Sequence, residues 1–190
     1  MTPERLSIWL WAVWVVSWLI AAFFRNRAVA RAPIAGEAVH RVVTIAGALL
    51  LFGSPSIFQT VARWRVTMSV GWVLTALIVI GLLITWWARV TIGRLWSSDV
   101  SRQEAHRVVD WGPYRFVRHP IYTGISLAAF ATAPLRGSVG AVMGAALIAY
   151  GLYLKGRLEE RFLRRELGAP YDAYARRTPM LIPFVRSSVD

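Results

Sequence analysis

The chain has 190 residues but no cysteine, a single lysine (Lys155), three histidines and only ten carboxylates. Without cysteine there is no disulfide, no thiolate nucleophile and no thiolate metal site. No two of His40, His106 and His119 have metal-ligand spacing, so no metal is expected. Charge is scarce: 17% of residues are charged and 56% hydrophobic, whereas a soluble domain carries about a quarter charged residues. There is no glycine-rich phosphate loop, no Ser–His–Asp order and no nucleotide fingerprint after a strand, which leaves Rossmann-type binding without support.

Tryptophan is abundant, with ten residues, and charge-free runs are long; both features point to an integral membrane protein. The net charge of +12 is carried almost wholly by arginine. It sits in short loops beside the apolar runs, where it sets topology and meets anionic headgroups. No basic, aromatic-interleaved surface exists apart from those runs, so nucleic acid is not an expected partner and the lipid bilayer is.

Five apolar runs can be marked: Leu6–Phe24, Val42–Ala62, Val66–Ala88, Pro120–Leu135 and Gly137–Leu154. The first three approach the ~20 residues that cross a hydrocarbon core of ~30 Å. Arg25 and Arg27 follow the first run directly, which is poor geometry for a cleaved signal, so it reads as a retained span. The last two runs are shorter and separated by little more than Arg136-Gly137, so they predict a tight helical hairpin, either two crossings or one re-entrant pair. Gly53-Ser54-Pro55 should kink or interrupt the second run. Gly140 and Gly144 form a small-xxx-small pair suited to close packing against the third or fourth run.

With five spans, eighteen of the 22 basic residues fall on the side of the C-terminus and four on the other. The positive-inside bias then puts the C-terminus in the cytoplasm and the N-terminus outside. The connection from Arg89 to His119 is long and polar, as functional loops are. Beyond the fifth run, Leu158, Phe162, Leu163 and Leu167 recur near helical spacing among charges until Gly168-Ala-Pro170. The expected fold is all-α: a polytopic membrane helix bundle of about five transmembrane helices with a C-terminal cytoplasmic amphipathic helix. Residues 1–88 would form a three-helix membrane scaffold, and 89–190 the loop, hairpin and C-terminal segment that carry the chemistry.

Two clusters hold that chemistry. In Arg118-His119-Pro120, proline suits the first helical position, and two basic side chains stand beside free backbone donors at the positive end of a helix dipole. An anion is favoured at such a place. The plainer alternative for Arg118 is a contact with phosphate headgroups. In the second cluster, Lys155 and Glu159 lie four apart on one helix face, as do Glu160 and Arg164; either pair is also accounted for as a helical ion pair. The hairpin returns the end of the fifth run to the face that carries Arg118, His119 and Tyr122. Basic and acidic groups then converge in a way that suits a zwitterionic amino-acid group, with the glutamate taking the ammonium or a ribose hydroxyl. His106 and Tyr114 are weaker signals.

From about Trp86 to Phe184 the chain resembles the isoprenylcysteine carboxyl methyltransferases and the related phospholipid methyltransferases. The likeness rests on Ala88–Ser97, the stretch Gly112–Gly124 with Arg-His-Pro-Ile-Tyr-Thr-Gly, Glu159-Glu160, and Tyr171-x-x-Tyr174 followed by Leu181-Ile-Pro183. It implies methyl transfer from S-adenosyl-L-methionine bound on the cytoplasmic side. By motif position, His106, Arg107, Val108, Val109 and Tyr114 would contact the cofactor from the loop, His119, Pro120, Ile121 and Tyr122 from the fourth run, and Glu159, with its neighbour Glu160, from the fifth. Lys155 stands where the family has a basic residue near the substrate, an arginine in the prenylcysteine enzymes. Lys155, Glu159 and Arg118 are the residues expected to serve the reaction. The resemblance implies an amphiphilic, isoprenoid- or lipid-like acceptor, with carboxyl O-methylation foremost. Sterol reductases share a similar Arg-His-Pro-x-Tyr pair, so a nicotinamide-dependent reductase is the alternative; Ile121 and Ile125 depart from their pattern. A non-enzymatic scaffold or transporter is the third reading. The arginine-rich, cysteine-free composition is compatible with the plasma membrane of a prokaryote.

Overall fold

The computed structural model describes residues 1–22, 28–31, 34–53, 62–93, 101–103 and 108–185, with backbone alone for 28–31, 34–36 and 101–103. Its helices are α1 (Pro3–Ala22), α2 (Ile34–Gly53), α3 (Met68–Ile92), α4 (Pro120–Arg136), α5 (Val139–Leu167) and α6 (Ala169–Arg177), with a 3-10 turn at Gly112–Arg115. Strands β1 (Ala28–Arg31) and β2 (Ser101–Gln103) pair antiparallel, a short ribbon that an all-α reading did not contain. The charge-free criterion also misplaced the second helix. It begins at Ile34 and takes in Glu37, His40 and Arg41, because a helix end can carry charge where it leaves the apolar layer. Gly53 is its last residue, and Ser54-Pro55 lie outside the described residues.

Among the described residues, α1, α3 and α5 are long and apolar enough to cross a membrane by length and composition. The five expected crossings are therefore supported at three. Helix α4 has 17 residues, about 25 Å at ~1.5 Å per residue. The chain is an integral membrane protein whose helices lie side by side in the order α1, α3, α4, α5, α2.

Local signals fix the helix ends. Thr67 caps α3 by accepting from the Val70 amide, and Ser138 caps α5 by accepting from Ala141. Pro120 occupies the first turn of α4, and Gly137 closes it in a left-handed conformation (φ 63°). Arginines from neighbouring helices serve the other carbonyl ends. Arg136 donates to the Phe52 carbonyl of α2, and Arg89, which lies within α3 and is buried, donates to Ala21 at the end of α1 and to Gly93. In the apolar layer, Trp11 and Trp14 of α1 donate their indole N–H groups to Thr132 (2.9 Å) and Thr85 (2.7 Å).

Two glycine crossings bring the backbones together. Gly81 and Gly124 face each other where α3 meets α4, so that a Cβ on either would strike the partner's carbonyl. Gly47 and Gly144 do the same for α2 and α5, with Leu51 N 2.5 Å from a Cβ placed at 144. Gly144 thus serves the second helix, not the third or fourth. We expect Gly124→Ala to cost about 1–3 kcal/mol, read as a lower melting temperature in detergent. Gly53→Ala, whose new methyl meets nothing within 4 Å among the described residues, should melt like the parent. Equal melting of all three would contradict this packing.

Candidate active site

The α4–α5 hairpin turns at Gly137, and His119 and Lys155 each lie eighteen residues from it, so the two helices bring them level. Helix α5 continues past the start of α4, and Glu159 and Glu160 occupy its next turn. His119 is the N-cap of α4 and makes no side-chain cap bond. Its ring is bracketed instead by both glutamates: Nδ1 lies 3.3 Å from Glu159 Oε2, and Nε2 lies 3.4 Å from Glu160 Oε1. The Tyr122 ring stacks on it at 5.2 Å and 5° between planes, and the Tyr122 hydroxyl donates to Glu159 Oε1 at 2.5 Å. Lys155 Nζ is 3.9 Å from the same oxygen and 5.5 Å from the Tyr122 ring centre.

Exposure divides this cluster in two. The inner pair, Arg118 Nε to Glu160 Oε1 at 2.6 Å, has side chains only 2% exposed. The outer pair, Lys155 and Glu159, is 15% and 19% exposed. Arg118 also donates to the Ala175 carbonyl of α6 at 2.7 Å. It therefore anchors the C-terminal segment rather than reaching a headgroup. The backbone donors expected to attract an anion are likewise engaged: Arg118 N bonds Pro179 O (2.8 Å) and His119 N bonds Met180 O (3.1 Å). Thr123 Oγ1 donates to Leu181 O, so residues 179–181 lie as a strap across the start of α4. A Cβ at Gly156 would meet the flexible end of Met180 at 2.6 Å and the His119 ring at 3.4 Å.

The remaining expected residues are placed as follows. Pro120 and Ile121 are buried at the start of α4. Tyr114 is buried, and its carbonyl accepts from the Tyr174 hydroxyl at 2.7 Å. Val109 is buried in the main core, whereas Val108 packs against Tyr171, Tyr174 and Ala175. His106 and Arg107 lie outside the described residues. Sequence reasoning expects the tail Tyr171–Val185 to fold back on the membrane face, but not the Ala175 carbonyl or the strap's backbone contacts with Arg118 and His119. Backbone carbonyls and amides such as these have no side-chain signature.

Burial pushes the Tyr114 and Tyr174 phenols up, so the Tyr174 hydroxyl stays a donor. For His119, burial acts to lower the imidazole, but hydrogen bonds and charge from Glu159 and Glu160 outweigh it and leave the value raised. The arrangement thus offers one partly open spot with both signs of charge, backed by a sealed ion pair. That donor set can meet an ammonium at Glu159 and a carboxylate at Lys155, from one molecule or from two. Among the described residues no cluster of histidines and carboxylates suits a metal ion.

Residues 73–165 match the isoprenylcysteine carboxyl methyltransferase family model. A probable protein-S-isoprenylcysteine O-methyltransferase of Oryza sativa subsp. indica is 26% identical over 95% of this chain and 98% of its own length. Protein-S-isoprenylcysteine O-methyltransferase B of Arabidopsis thaliana is 28% identical over 57% of each chain. Methanethiol S-methyltransferase 1 of Bradyrhizobium diazoefficiens is 42% identical over 39% of this chain and 25% of its own. The chain therefore spans about half the length of the Arabidopsis relative and nearly all of the rice one. All three names describe methyl transfer, and none a reductase.

Two outcomes follow for the cluster. Arg118→Ala removes the shortest partner of buried Glu160, leaving it His119 and Arg164 at 3.4 and 3.7 Å, and frees the Ala175 carbonyl; it should cost about 1–3 kcal/mol, read by thermal unfolding in detergent; a change below 1 kcal/mol would remove the pair from its anchoring role. Because the His119 value is raised on folding, its contribution is complete below ~6.5 and is lost as pH rises through the folded value. Melting temperature should fall over that rise, and His119→Asn should flatten the limb. An unchanged slope in the variant would exclude His119 as its source.

Proposed function

We infer that this isoprenylcysteine carboxyl methyltransferase-like integral membrane protein is a methyltransferase that uses S-adenosyl-L-methionine to O-methylate the carboxylate of an acceptor with an apolar tail. The observation that carries the reading is the partly open Lys155–Glu159 pair beside the His119–Tyr122 stack, within the span matched by the family model. Support for the acceptor class comes from the rice relative, which covers nearly the whole chain. The shorter bacterial match leaves a thiol as the competing acceptor.

When bound, the cofactor supplies an electrophilic methyl group on a sulfonium. The chain's own residues bind and position. Glu159 takes the ammonium or a ribose hydroxyl, held in place by the Tyr122 hydroxyl and by His119. Lys155 meets the acceptor's carboxylate as a point charge. Arg118 and Glu160 touch neither reactant. They lock α4, α5 and α6 together and so are positioning residues. His106, Arg107, Val108, Val109 and Tyr114 complete the cofactor's loop side. The acceptor's tail enters laterally from the lipid between helices, and the cofactor arrives from the cytoplasm. A carboxylate needs no general base, so orientation and exclusion of water provide the rate.

Titration calorimetry in detergent should register binding of S-adenosylmethionine and none of reduced nicotinamide. Glu159→Gln should weaken that binding by roughly tenfold or more, because it removes a charge-assisted bond. Lys155→Met should keep the cofactor affinity and lose labelled-methyl transfer to an alkylthioacetic acid. Binding of the nicotinamide instead, or full cofactor affinity in Glu159→Gln, would overturn the assignment.

A further inference from the structure

Helix α2 lies outside the span matched by the family model, yet it carries a histidine that the site described so far does not use. His40 is 5% exposed, and its Nε2 has no hydrogen-bond partner among the described residues. A buried polar nitrogen left unmatched costs about 1–3 kcal/mol, so a chain that retains one has a partner for it in some state.

The glycine register says where that nitrogen sits. Along the antiparallel α2–α5 seam, Gly144 meets Leu51 and Gly47, Gly47 meets Ile148, and Gly151 meets Thr44 and the His40 carbonyl. One more turn of α5 puts Lys155 beside His40 and Glu37. The charges agree with this placement: Lys155 and Glu159 of α5, and Glu37 and Arg41 of α2 itself, are the groups that act on the His40 imidazole. Glu37 is buried and paired with Arg41, and Glu159 is held by Tyr122 and His119. Neither carboxylate serves His40 as a hydrogen-bond partner.

A carboxylate has two oxygens, and a lone ammonium is a single point of attraction that does not fix its orientation. We propose that His40 is a specificity-determining contact: its Nε2–H donates to one oxygen of the acceptor's carboxylate while Lys155 meets the other. This rests on the methyl-transfer reading above and adds the acceptor side of that site. It gives α2 a part in substrate choice, and it gives the unmatched nitrogen its partner.

The probes are dodecylthioacetic acid and dodecanethiol, which share a tail and differ in the reacting group. His40→Leu removes the donor; His40→Gln keeps an N–H of similar reach. His40→Leu should raise KM for the acid roughly tenfold or more, with a far smaller change in kcat and an unchanged calorimetric Kd for S-adenosylmethionine. His40→Gln should recover most of the KM. Loss of kcat and cofactor affinity together, an unmoved KM in His40→Leu, or no rescue by glutamine would each overturn the proposal. So would transfer to the thiol without transfer to the acid, or transfer to neither, in a wild-type protein that binds S-adenosylmethionine. A wild-type protein that does not bind it would instead overturn the methyl-transfer reading.

Discussion

A guanidinium and a carboxylate buried among apolar helices remain charged only where opposite charge and hydrogen bonds meet them. Desolvating either one alone costs several kcal/mol that the bundle cannot supply elsewhere. Arg118 and Glu160 stand in that position, 2.6 Å apart, and most of the functional end of the molecule hangs on them. Arg118 comes just before α4, Glu160 lies in α5, and the same guanidinium holds the Ala175 carbonyl of α6. Three helices are therefore referred to one ion pair. The strap at Pro179 and Met180 then uses the amides of Arg118 and His119, which lie where that pair has already placed them. Arg164, which lies 3.7 Å from Glu160 and 3.5 Å from Asp172, extends the same tie to the start of α6.

The consequence for chemistry is a division of labour between adjacent glutamates. Glu160 faces inward and pairs with Arg118, whereas Glu159, one residue earlier, points to the opposite side of His119 and stays partly open. Had both faced inward, the site would be a sealed knot with nothing to bind a ligand. Had both faced outward, α6 and the strap would lose their anchor. The histidine between them reads as a spacer: its two ring nitrogens keep the carboxylates apart, and its raised affinity for a proton offsets their mutual repulsion.

How much of this was legible beforehand depends on what kind of signal carries each feature. The hairpin was readable because Pro120 and Gly137 have one-residue conformational meanings, and the juxtaposition of His119 with Lys155 follows from equal distances to the turn. The partners of Arg118 were not readable, since a backbone carbonyl such as that of Ala175 has no side chain to announce it. The start of α2 was lost for a related reason. Marking spans by absence of charge discards a turn that carries Glu37, His40 and Arg41, though a helix end tolerates them. The β1–β2 ribbon, three and four residues long, is below what periodicity can detect.

The glycines finally explain why a site on α4 and α5 depends on the helices at its sides, α3 within the matched span and α2 outside it. Crossings at Gly81–Gly124 and Gly47–Gly144 allow backbone contact on both sides of the hairpin, so α3 and α2 act as rigid walls and not as loose lipid-like neighbours. Backbone contact transmits register: once Gly144 is seated against Leu51, the level of every later residue of α5 relative to α2 is set, Lys155 included. The seam therefore places the polar start of α2 beside the open half of the charge cluster. The position of Lys155, four residues past Gly151, is thus a property of two helices, only one of which carries the recognisable signature.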